Sequence, residues 1–147
     1  MLRKFTLVCI IMFSSFSNAA VDVLKGDWDA YSKSSQAIYG KVVINNDFIH
    51  WGVPKVKGKV GANEALPCKA EYKYSYDQSK KLHTIKLINK ICAYEDMKNS
   101  HISKKLSHWN IEIIKERSRR IEAKFYSYTD SDKQSGKGIF YKYLPRK

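Results

Sequence analysis

Residues able to do chemistry are few and scattered along this chain. The histidines are His50, His83, His101 and His108. A zinc site built on a helix or short loop needs ligands at fixed close spacings, and no His-Glu-x-x-His or His-x-His pair occurs. No acidic cluster has metal-ligand spacing either, so neither a metal nor a cofactor is expected. There is no Gly-x-Ser-x-Gly elbow for a serine nucleophile. A ribonuclease-like centre requires two histidines and a lysine at one point, and His50, His83 and a lysine would supply it only if the fold joined them. The chain is therefore read as a non-enzyme, with a small secreted hydrolase or ribonuclease kept as the weakest alternative.

Cys9 lies in an apolar N-terminal run, which leaves Cys68 and Cys92 as the remaining thiols. They lack CxxC spacing and have no neighbouring histidine, so redox chemistry and metal binding are both disfavoured. The pair is read as one disulfide. Closing a loop of about 25 residues contributes roughly 3 kcal/mol by chain entropy.

The sharpest local feature is residues 115–120, where Lys115, Arg117, Arg119 and Arg120 stand against the single Glu116. Guanidinium groups bind carboxylate or phosphate through two parallel N–H donors, so a protruding arginine hairpin suits an acidic cleft. Whole-chain charge points the same way: 27 Lys and Arg against 14 Asp and Glu give +13. Such a surface attracts anions over a Debye length.

The first 19 residues read as a secretory signal. Arg3 and Lys4 precede an apolar run from Phe5 to Phe13, and Ser17-Asn18-Ala19 places small residues where a signal peptidase reads. That run is too short to span a bilayer as a helix. Cleavage after Ala19 leaves residues 20–147, a single domain by length. No Asn-x-Ser/Thr site occurs. The expected address is periplasmic or secreted, where an even pair of cysteines oxidises.

The elements that must position these residues are strands. Apolar residues alternate with polar ones over 37–44 and 47–53, and Asn45-Asn46 reads as a two-residue turn pairing Val42 with Ile49. Ala70, Tyr72, Tyr74 and Tyr76 share one face, and Leu82 to Ile91 returns beside them. Tyr74 opposite Ile85 or Leu87 gives an odd sum of residue numbers, whereas Cys68 opposite Cys92 gives an even one. One regular ladder cannot satisfy both, which predicts a bulge or cysteines beyond the ladder. Trp109, Ile111 and Ile113 pair with Ile121, Ala123 and Phe125 across the basic tip. Residues 54–67 read as a loop with a short strand near 57–60, and 129–138 as a turn before a last strand over 139–144. Tyr94, Met97, Ile102 and Leu106 allow a short helix near 94–106. The total is seven or eight antiparallel strands, hence an all-β barrel or sandwich.

Gly26-Asp27-Trp28 on the first strand, the hairpin meander after it and one disulfide resemble the lipocalin-like small β-barrels. That resemblance implies that Trp28 plugs the closed end of a barrel.

Ten tyrosines accompany the bases, and Tyr with Arg is the composition of interface centres. The leading expectation is a non-enzymatic periplasmic inhibitor or immunity-type protein that engages an acidic protein through a basic, Tyr/Arg-rich surface. The alternative is a lipocalin-like carrier of a small apolar or anionic ligand. An anionic envelope component also fits the charge, whereas the exported address disfavours nucleic acid. No second apolar stretch could cross a membrane as a helix.

Overall fold

A computed structural model describes residues 20–53, 66–92 and 106–145. The signal-like residues 1–19, the short strand near 57–60, most of the helix near 94–106 and His101 lie outside these. Eight antiparallel strands form a closed barrel in which each pairs with the next and the last with the first. They are β1 (Gly26–Ala30), β2 (Lys41–Ile44), β3 (Phe48–Gly52), β4 (Cys68–Asp77), β5 (Leu82–Cys92), β6 (Leu106–Arg117), β7 (Arg120–Thr129) and β8 (Gln134–Tyr143). Closure onto β1 removes the open sheet edge that a meander would otherwise expose.

Alternation decides what fills the interior. Trp28, Trp51, Trp109, Phe125 and Phe140 all point inward and are almost fully buried, with Val42, Ile44, Ile49, Ile85 and Ile111 between them. Trp51 meets Trp109 edge-on at 5.4 Å, and Trp28 meets Phe125 at the same distance. These are the geometries that aromatic quadrupoles favour. Leu106, a member of the predicted helical stripe, instead opens β6 and is fully buried in the core.

The N-terminal residues close one end of the barrel. A single turn over 20–25 is held by the Leu24 N–H donating to the Val21 carbonyl. The Trp28 indole then donates to the Leu24 carbonyl at 2.7 Å. Leu24 and Trp28 have no exposed surface, so the tryptophan sits beneath that turn and fills this end of the barrel. The tight connections β2–β3, β4–β5 and β6–β7 gather at this end, because β1 starts here.

Both parity requirements are met in one strand pair. Cys68 stands opposite Cys92 and Lys69 opposite Ile91, whereas Glu71 stands opposite Ile88 and Tyr74 opposite Ile85. The slip falls between them: Asn89 and Lys90 together oppose Ala70, and Asn89 takes the extra curvature at a φ of 52°. Asparagine tolerates this left-handed conformation better than most residues. The two sulfurs are bonded, with Cα atoms 4.1 Å apart.

Three expectations are corrected. Residues 33–39 form a helix, α1 (Lys33–Tyr39), rather than the start of a strand. The Ser32 hydroxyl caps it by accepting from the Ser35 N–H, and Gly40 ends it at a φ of 65°. A Cβ on Gly40 would lie 2.1 Å from the Gly52 carbonyl oxygen, so only glycine fits where helix meets barrel. Capping residues outweighed the weak alternation in this stretch.

The β2–β3 register is also two residues longer at the turn. Val42 faces Trp51 and Ile44 faces Ile49, because the Asn45 side chain accepts from the Asp47 and Phe48 N–H groups and widens the loop. A shift of two preserves which side chains face inward, so Val42, Ile44, Ile49 and Trp51 still share the core face. Finally, β8 begins at Gln134, within the stretch read as a turn. Gly136 and Gly138 stay in register with Ser127 and Phe125, since a glycine weakens a strand without ending it.

Candidate functional site

The basic run lies where the hairpin geometry puts it. Arg117 faces Arg120 across the turn at Ser118-Arg119. Lys115, Arg117 and Arg119 are exposed, and no ion pair holds them among the described residues. Arg120 behaves differently. Its guanidinium is ion-paired and hydrogen-bonded to Glu122. It also sits 5.6 Å from the Tyr31 ring centroid and 5.5 Å from that of Tyr141.

The hydrogen bond to Glu122, with smaller contributions from the nearby Tyr31 and Tyr143 hydroxyls, holds the Arg120 proton more tightly than usual. The same contact, led by the hydrogen bond from Arg120, holds the Glu122 carboxyl below its ordinary range. Barrel closure builds the cluster. Tyr141 lies opposite Glu122 on one side and Asp29 on the other, and the Tyr31 N–H donates to the Ile139 carbonyl at 2.9 Å. Tyr31 and Tyr143 remain 56% and 67% exposed, so the patch presents aromatic faces to solvent around a fixed cation. The strand expected over 139–144 carries Tyr141 and Tyr143, and Glu122 follows Arg120 by two on its own strand, but no sequence signal brings Tyr31 to them. Their meeting depends on β1 pairing with β8, more than a hundred residues apart in sequence.

A second feature opens beside the tip. A cleft of about 970 Å³ lies between the β4–β5 turn and the β6–β7 hairpin, floored by Ala20 and Val23. Tyr76, Lys81 and His83 line one wall and residues 113–116 the other. His83 shares a hydrogen bond of 2.9 Å with the Tyr74 hydroxyl, and the Tyr76 ring lies 4.6 Å from the imidazole. Burial lowers the His83 pKa, and burial first and Tyr76 second push Tyr74 up to about 12. Both groups are therefore neutral near pH 7 and act as a hydrogen-bonded aromatic wall.

The histidines do not gather. His50 projects from the outer face of β3, between the inward Ile49 and Trp51, while His83 projects inward from β5. His108 lies on the outer face of β6, stacked on Tyr128 at 4.6 Å. Two strands separate β3 from β6, a spacing of roughly 14 Å. Among the described residues, no group of three or more His, Cys, Asp or Glu is placed to hold a metal ion. No described helix is long and apolar enough to cross a membrane. The disulfide lies at the far end of the barrel from the arginine tip, at the roots of the connections leaving β3 and β5. Set against known proteins, the chain matches no family model, no curated protein and no solved structure.

Proposed function

We propose that this is an exported, non-enzymatic binding protein of inhibitor or immunity type that engages an acidic macromolecular partner. The contact surface is the β6–β7 tip together with the tyrosine face beside it. One observation carries this reading: Arg120 is fixed among Tyr31, Tyr141, Tyr143 and Glu122, next to the exposed Lys115, Arg117 and Arg119. A surface already ordered before binding loses less side-chain entropy when a partner arrives. The exposed bases around it supply steering, which raises association rates more than affinity. The signal-like residues 1–19 and the Cys68–Cys92 bond support an oxidising compartment.

The carrier reading draws less support, because five aromatic rings occupy the barrel interior where a lipocalin-like ligand would lie. The hydrolase reading draws least, since His83 points inward while His50 and His108 lie on the outer face with two strands between them. The test is capture from periplasmic extract by the wild type and by a Lys115→Gln, Arg117→Gln, Arg119→Gln triple variant. A partner held by the wild type should be lost in high salt and lost by the triple variant. Equal capture by both proteins would reject the reading.

A further inference from the structure

The barrel is joined unevenly between β5 and β6. Only His83 to Lys86 pair with residues 108 to 111. Beyond Ile111, β6 continues through Arg117 with β7 on one side and no strand on the other among the described residues. That leaves an edge of six residues, roughly 20 Å long. The cleft follows this edge. Residues 113–116 of this stretch all line it. The backbone N–H and C=O groups of this edge that point away from β7 have no strand partner among the described residues, and a further strand would satisfy them.

Charge selects the strand. Lys81 and Lys115 line the cleft from its two walls, the exposed Arg117 follows on β6, and Glu116 is the one carboxylate among the described lining residues. Residue Ile114 is the bulge, lying between Ile113 opposite Ala123 and Lys115 opposite Glu122. A bulge and clustered bases are devices that keep an edge from pairing with its own kind. Two copies would bring two tips of four cations and one carboxylate each into contact. A segment rich in Asp or Glu meets the opposite sign.

We infer that residues 112–117 are a docking edge for an extended acidic segment of a partner protein, which adds as a strand alongside β6 where it runs past the start of β5. Main-chain hydrogen bonds would hold the segment while Lys81, Lys115 and Arg117 take its carboxylates. Val23, Ile113 and Tyr76 would receive its apolar side chains. This rests on the reading of an acidic partner and adds the mode of contact.

The test uses the purified protein and a short capped peptide alternating glutamate and valine. Binding should slow amide hydrogen exchange within residues 112–117. Methylating alternate peptide nitrogens should weaken binding roughly tenfold or more, the scale of the hydrogen bonds lost. A lysine–valine peptide should not bind. Ile114→Pro, which places a residue without an N–H on the edge, should weaken the unmodified peptide. If that variant fails to fold, the methylated peptide tested on the unaltered protein still decides the matter. Equal binding of methylated and unmodified peptides, or protection confined to other residues, would overturn strand addition. If both those peptides bind equally and the Lys115, Arg117, Arg119 triple variant loses both, strand addition fails while the acidic-partner reading stands. If the unmodified peptide protects 112–117 yet the triple variant captures the natural partner normally, the edge stands and the tip reading fails.

Discussion

The Lys142 ammonium lies 5.1 Å from the ring centroid of Trp28, inside the barrel end and with 5% of its surface exposed. Among the described residues no carboxylate forms an ion pair with it. It donates instead to the carbonyls of Val23 and Lys25, tying the last strand to the N-terminal turn that covers the tryptophan. Burial lowers its pKa to about 8, and the more distant Glu116 offsets only part of the shift.

This geometry sets a pH dependence. Between about 8 and the ordinary value of 10.5 the unfolded chain carries a proton on this lysine that the folded chain does not. Unfolding therefore takes up a proton, and stability rises with pH across that window. The full effect is about 3 kcal/mol at most. Tyr74 acts oppositely at higher pH, since its folded pKa of about 12 lies above the ordinary 10 and stability falls as the unfolded tyrosine ionises. Urea unfolding through this range should show the rise, and Lys142→Met should abolish it. A flat profile in the wild type would contradict the buried charge.

The two most deeply buried tryptophans should respond differently to the same substitution. The Trp28 N–H has a partner in the Leu24 carbonyl, whereas the Trp51 N–H is buried with none. Phenylalanine removes volume at both sites. At Trp51 it also removes an unsatisfied donor that costs about 1–3 kcal/mol. At Trp28 it leaves the Leu24 carbonyl unpaired and uncovers Lys142. Trp28→Phe should therefore destabilise by about 1–3 kcal/mol more than Trp51→Phe. Denaturant midpoints of the two variants measure the difference, and equal costs would refute this account of the closed end.

Cys68 and Cys92 cross-link neighbouring strands at the end away from the tip. Their reduction, or Cys68→Ser with Cys92→Ser, should cost roughly 3 kcal/mol. The turn at Ser118-Arg119 lies at the opposite end of the barrel, so tip-dependent binding should persist under conditions where the reduced protein remains folded. Loss of binding without unfolding would show coupling between the two ends that this architecture does not provide.

How much of this was legible in the sequence follows from the range of each interaction. The conflict between Cys68–Cys92 and Tyr74–Ile85 could be read because both pairs lie in one hairpin, and the bulge at Asn89 and Lys90 resolves it. The inward face of Val42, Ile44, Ile49 and Trp51 was legible for the same reason, although the turn was two residues longer. Helix α1 was not legible from hydrophobic period, since its boundaries depend on Ser32 and on how closely Gly40 approaches Gly52. The candidate site was half visible. Residues 115–120 announce their charge, but the aromatic setting that sets Arg120 apart from its three exposed neighbours depends on Tyr31, which barrel closure delivers. The cleft was invisible, because it arises from where β5 stops pairing with β6.

The contact surface can be read directly by hydroxyl-radical footprinting of the protein alone and bound to its captured partner. Tyr31 and Tyr143, both largely exposed in the free protein, should lose most of their reactivity in the complex. Residues on the outer face of β3 and β4 should keep theirs. Unchanged labelling of Tyr31 and Tyr143 in a saturated complex, with protection elsewhere on the barrel, would contradict the claim that the arginine tip and its tyrosine face make the contact.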